Sequence, residues 1–169
     1  MRMENSRVCL HRTWRYVASL MILLCLWMIF HFSGQDGGTS DSLSSRVTAM
    51  LLETATGVRP NRLSAEFAQA NHIVRKLAHM TEYGMLAFSC ALLTHAFPHS
   101  CGKRYGIAAA MCVFTASLDE YMQSFRAGRD GRILDVGIDM GGAMLALMLF
   151  ALLWRIATGK KQGQGSSPG

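Results

Sequence analysis

The sequence predicts an all-α protein: a four-span transmembrane helical bundle with a short amphipathic interfacial helix between spans 1 and 2. Three observations predict it. Half of the 169 residues are apolar and only 17% are charged. Twenty consecutive residues between Arg15 and Asp36, and twenty more between Glu82 and Lys103, contain no Asp, Glu, Lys or Arg. Two shorter apolar runs follow, Tyr105 to Leu118 and Met140 to Trp154. A helix crosses the hydrocarbon core of a bilayer in about 20 residues, so stretches of this kind fit a membrane and exclude both a soluble globule and a disordered chain.

The first span is Tyr16 to Phe32. A basic segment, 1–15, precedes it with Arg2, Arg7, Arg12 and Arg15. A cleaved signal peptide has the same basic start, but its apolar region is shorter and a small-residue cleavage site follows it. Neither condition is met here. Beyond Ser33 the chain turns polar. Leu43, Val47, Met50 and Leu51 then recur at i, i+4, i+7 and i+8, one apolar stripe of a helix, with Asp41 or Ser42 as its N-cap. So short a stripe beside a membrane is expected to lie along the interface. Leu63, Phe67 and Val74, capped by Ser64, indicate a second short helix leading into span two.

Span two runs from about Leu77 to Phe97, closed by Pro98, and Lys103 and Arg104 form the next loop. The third run is fourteen residues long and must continue through Asp119 and Glu120 to about Phe125 to cross. The fourth, fifteen residues, must begin near Ile133 and draw in Asp135 and Asp139. The transmembrane domain thus covers 16–155, and the Gly-, Ser- and Lys-rich 156–169 is expected to be a disordered tail. The five cysteines have no repeating spacing and no C-x-x-C, which argues against a disulfide framework. Cys25, Cys90 and Cys112 fall in apolar stretches and are expected to pack as small hydrophobes.

The net charge of +6 belongs to loops against anionic lipid head groups rather than to a nucleic-acid surface, because no Lys/Arg-rich face is present. With the N-terminus inside, nine basic residues fall on the inner side and eight on the outer. The dense cluster before span one favours a multi-pass cell-membrane protein with both termini cytoplasmic.

Under that layout the ionisable groups converge on one membrane face. Ser33 and Gln35 end span one. Lys76, His79, Glu82 and Tyr83 begin span two, with Lys76, His79 and Tyr83 on one helical face. Asp119, Glu120 and Gln123 end span three, Arg129 lies in the following loop, and Asp135 and Asp139 begin span four. A charge at the bilayer centre costs ~2.5–3.5 kcal/mol on insertion scales, so such groups face inward and pair. The acids are expected to be set against Lys76, Arg129 and His79.

Four stretches carry a family likeness: Phe32-Ser33-Gly34-Gln35; Arg75-Lys76-Leu77-Ala78-His79-Met80-Thr81-Glu82-Tyr83; Asp119-Glu120-Tyr121-Met122-Gln123; and Gly128-Arg129 with Asp135-Val136 and Asp139-Met140-Gly141-Gly142. Over roughly residues 15 to 155 the chain resembles the VanZ-like family of small bacterial membrane proteins. It departs at Ala127, where the family commonly has Pro, and at Met80, where it often has Phe. The resemblance implies an envelope protein whose founding relative is associated with teicoplanin resistance.

Each candidate has more than one role open to it. Asp119 or Glu120, and His79, are candidate catalytic groups, since a partly buried carboxyl can serve as general acid or base. Equally, the acids can simply neutralise Arg129 and Lys76. His79 with Glu82, Asp119 and Glu120 has the types that hold a divalent cation, but a single His reads better as an interhelical hydrogen-bond network, so no metal and no cofactor is expected. Arg129 suits a two-point grip on phosphate or carboxylate, or snorkels to head groups. Tyr83, Trp14, Trp27 and Trp154 read as interfacial anchors, and Gly137, Gly141 and Gly142 as sites of close helix approach. Together Gln35, Lys76, His79, Glu82, Tyr83, Asp119, Glu120, Gln123, Arg129, Asp135 and Asp139 form the expected ligand pocket. Its expected partners are membrane lipids and a lipid-linked or peptidoglycan-related ligand. A hydrolase or transferase acting on such a ligand is the alternative. A transporter is weakest, since no second polar cluster lines an exit.

Overall fold

Five α-helices follow one another: α1 (Arg2–Ser33), α2 (Gly37–Thr56), α3 (Ala65–His95), α4 (Cys101–Gln123) and α5 (Ile133–Gly163). The computed structural model describes residues 2–35, 37–128 and 132–163, and side chains within 13–35, 37–128 and 132–158. No strand occurs among the described residues, so the class is all-α as expected. Two helical segments are long and apolar enough to cross a membrane, Thr13–Ser33 and Ile133–Thr158, each with mean hydropathy 2.0. α3 and α4 carry ionisable groups well inside their length and do not reach that apolarity.

Ser64 caps α3 as expected, its side chain accepting from the Phe67 N–H at 3.2 Å. The expected short helix after Ser64 is not separate, however. No Gly or Pro interrupts 65–83, and one continuous helix of 31 residues results. Nor do Asp41 and Ser42 cap α2. It begins earlier, at Gly37, whose N–H donates to the Ala127 carbonyl at 3.1 Å. A Cβ at 37 would lie 2.5 Å from the Gly128 carbonyl oxygen, so only glycine permits this approach. Gly128 itself holds a left-handed φ of 72°. Lys103 and Arg104 are not loop residues but belong to the first turn of α4, where the Arg104 N–H donates to the Ser100 carbonyl. α5 likewise continues to Gly163, so its helix takes in 156–163, at which a disordered tail was expected to begin. The remainder, 164–169, lies outside the described residues.

α3 is the central helix and packs against each of the other four. The core joins Ile22 and Ile29 of α1, Leu86 and Cys90 of α3, Cys112 and Ala116 of α4, and Leu147 and Phe150 of α5. Cys25, Cys90 and Cys112 are buried there as free thiols. α3 and α5 approach most closely at Gly142, where a Cβ would sit 2.7 Å from both the Cα and the carbonyl carbon of Met80. Gly137 has open space instead and takes no part in close packing. At the end of the bundle near residue 96, Arg15 donates to the Ala96 carbonyl at 2.9 Å and lies 4.4 Å over the Phe97 ring.

The outside of the bundle is apolar. Leu20, Leu23, Trp27, Phe114, Leu145, Met148 and Leu152 are each more than half exposed, while Ser33, Asp119 and Asp139 are buried. Exposed apolar surface of this extent is compatible with a membrane protein.

Candidate functional site

The polar residues of four helices meet at the end of the bundle formed by the C-termini of α1 and α4 and the N-terminal half of α5. α1 is tied to α4 through Gln123, whose Nε2 donates to Ser33 Oγ at 3.1 Å and to Asp119 Oδ2 at 2.9 Å. The second bond follows from the i, i+4 spacing. α3 is tied to α5 by an ion pair between Lys76 Nζ and Asp135 Oδ1. Glu120 Oε2 accepts the backbone N–H of Arg132 at 2.9 Å, fastening α4 to the start of α5.

Deeper in, His79 of α3, Asp119 of α4 and Asp139 of α5 each direct one nitrogen or oxygen into a common space, and these atoms all lie within 4.8 Å of one another. Asp119 is 0% and Asp139 2% exposed. His79 Nδ1 also lies 3.8 Å from Glu82 Oε2, one helical turn away. Tyr83 is fully buried beside Asp119 and Asp139. Tyr83 is therefore an interior residue and not the interfacial anchor that its position near a span end had indicated. Trp14, Trp27 and Trp154 remain on the surface.

A cavity of about 330 Å³ opens next to this cluster, between the end of α1, α2 and α3. Leu43 and Val47 form its apolar wall, and Gln35, Arg75, His79 and Glu82 its polar one. The Gln35 side-chain oxygen is buried there with no hydrogen-bond partner. His79 and Glu82 thus face both the cavity and the acid cluster.

Sequence reasoning placed Lys76, His79, Asp119, Gln123, Asp135 and Asp139 on one end of the bundle, and the structure brings them together. Arg129 lies outside the described residues. Missed were Arg75 as a cavity residue and the anchor of α2. Thr48 donates to Asn71 Oδ1 at 3.2 Å, and Asn71 Nδ2 donates to Asp41 Oδ1 at 2.7 Å, so Asp41 serves α3 rather than capping its own helix. The available signal was Asn71, a polar residue on the same helical face as Phe67 and Val74.

Residues 18–154 match the family described as VanZ/LLP1. The chain belongs to the VanZ/LLP1 family. Every polar residue of the cluster falls inside the range shared with VanZ/LLP1, as do the cavity and the Gly142 contact. Searches of the curated proteins and of the solved structures return no match.

Proposed function

We propose that this VanZ/LLP1 protein is a multi-pass cell-envelope membrane protein whose polar pocket handles a lipid-linked or wall-related ligand and thereby lowers susceptibility to teicoplanin. In this reading α1, α3, α4 and α5 all span the bilayer, with both termini cytoplasmic and the pocket on the outer face. The ionisable groups within α3 and α4 are tolerated because they point inward and pair. α2 lies along the interface. Its stripe supports this, since Leu43, Val47, Met50 and Leu51 are each between 43% and 65% exposed while Thr48 and Ala49 are buried.

The observation that carries the proposal is the cavity. One wall is apolar and the other presents Arg75, Gln35, His79 and Glu82. A molecule with an acyl or prenyl chain and an anionic head group has that division of chemistry. Arg75 supplies the planar, permanently charged fork suited to phosphate or carboxylate. A second reading is favoured by His79, Asp119 and Asp139 lying together: a hydrolase or transferase, with an acid or the imidazole moving the proton of an attacking water.

Purified protein in lipid nanodiscs, incubated with a labelled lipid-linked wall precursor, tests both. Saturable binding that Arg75→Gln weakens supports the pocket, and product formation selects the enzyme. Neither binding nor turnover removes the ligand from the proposal.

A further inference from the structure

We propose that the cavity between α1, α2 and α3 takes a lipid whose phosphate has a hydrogen-bond donor beside it, a hydroxyl or an amide N–H, and that Gln35 reads that donor. This rests on the reading above of the cavity as the seat of a lipid with an anionic head group. It names what the head group must hold besides its charge.

The cavity wall holds a fixed cation and, apart from it, acceptors without hydrogens to spare. Arg75 is the only Lys or Arg among the lining residues, and no described residue forms an ion pair with it. Its guanidinium offers N–H donors and no acceptor. The Gln35 side-chain oxygen is buried in the same cavity and accepts no hydrogen bond from a described residue. Its backbone is held at the end of α1, where the Gln35 N–H donates to the Phe32 carbonyl at 3.3 Å. Ser44 of α2 adds a second acceptor. Its hydroxyl hydrogen is directed at the carbonyls of Ser40 and Asp41, both 3.1 Å away, so the lone pairs of Oγ are what it has left for a ligand.

A phosphate diester with no further polar group offers oxygen lone pairs alone. These suit Arg75, but they set acceptor against acceptor at Gln35 and Ser44. Water entering the cavity can donate to Gln35. A head group that displaces this water without bringing a donor leaves the oxygen unserved, and affinity is lost. A hydroxyl or amide N–H next to the phosphate meets both demands, with the phosphate on Arg75 and the donor on Gln35. The cavity of about 330 Å³ has room for roughly eleven waters at about 30 Å³ each, enough for a phosphate and the group adjoining it. Two kinds of lipid carry that chemistry, a prenyl-linked sugar phosphate and a glycerophospholipid with a free hydroxyl.

The test uses the full chain in detergent and four lipids of equal charge, with the Kd of each read by native mass spectrometry. A polyprenyl N-acetylglucosaminyl phosphate and a polyprenyl methyl phosphate form one pair. Phosphatidylglycerol and phosphatidylmethanol form the other. Within a pair the chain and the charge are the same, and one member lacks the donors. The donor-bearing member of at least one pair should bind roughly three- to tenfold tighter, and the pair that shows this names the source. In Gln35→Leu that ratio should fall to near one. Arg75→Gln should instead weaken both members of the pair together. Equal affinity within both pairs, or a ratio that Gln35→Leu leaves in place, overturns the inference while the anionic-lipid reading stands. Binding of none of the four removes that reading, and this inference with it.

Discussion

Lys76 on α3 forms an ion pair with Asp135 on α5, across the most extensive helix contact of the bundle. The two side chains are 29% and 32% exposed, so the pair is neither a solvated surface bridge nor fully enclosed. On the next turn of each helix, Asp139 of α5 and His79 of α3 lie together.

Breaking a fully buried pair by removing one partner costs ~3–5 kcal/mol, and a surface pair contributes under ~1 kcal/mol. A pair about one-third exposed falls between. Lys76→Met and Asp135→Leu are each predicted to lower stability by ~1–3 kcal/mol, measured by denaturant titration in detergent. The double variant should cost less than the two added together, because neither charge is then left alone. Strict additivity would show that the pair does not form.

At Gly142 a methyl group has no room, since its carbon would approach the Met80 backbone to 2.7 Å. Gly142→Ala should force α3 and α5 apart and cost ~1–3 kcal/mol. Gly137→Ala, which meets nothing within 4 Å, should be neutral or slightly stabilising by helix propensity. The contrast between two alanines five residues apart on one helix is the readout.

These two cases show what sequence can and cannot reveal. The Ser64 cap and the start of α5 at Ile133 were legible because each is a local pattern within one helix. The convergence of the ionisable groups was legible from the order of the helices alone. Partners far apart in the chain were not. Gly137, Gly141 and Gly142 look alike in sequence, yet only Gly142 abuts a neighbouring backbone. Asp41 resembles an N-cap, but Asn71, thirty positions on, claims its carboxylate. α2 starts at Gly37 because Ala127, from the α4–α5 connection, receives the first N–H.

α2 is held to α3 by Asn71, which bonds both Thr48 and Asp41. Asn71→Ala should leave the buried Thr48 hydroxyl and Asp41 without that partner, a loss of ~1–3 kcal/mol concentrated in α2. Amide hydrogen exchange should then accelerate in 37–56 more than in α4 or α5. Uniform acceleration would mean that α2 is not an independently docked element.

Orientation is tested by thiol labelling of intact cells. In variants whose other cysteines are replaced, a cysteine at the exposed Ser42 of α2 should react with an impermeant reagent. Native Cys101, exposed at the start of α4, should not react until the cells are opened. The reverse pattern would put the cluster on the cytoplasmic side.

The most direct measurement is antibiotic susceptibility of a Gram-positive host expressing the chain. Teicoplanin carries a fatty chain and concentrates at the membrane, where an outer-face pocket can act, whereas vancomycin works from the wall. The intact protein should raise the inhibitory concentration of teicoplanin more than that of vancomycin. Arg75→Gln, at equal expression, should lose most of that difference, since it removes the cavity's charged fork. An unchanged teicoplanin value in cells that hold well-folded intact protein would contradict the account.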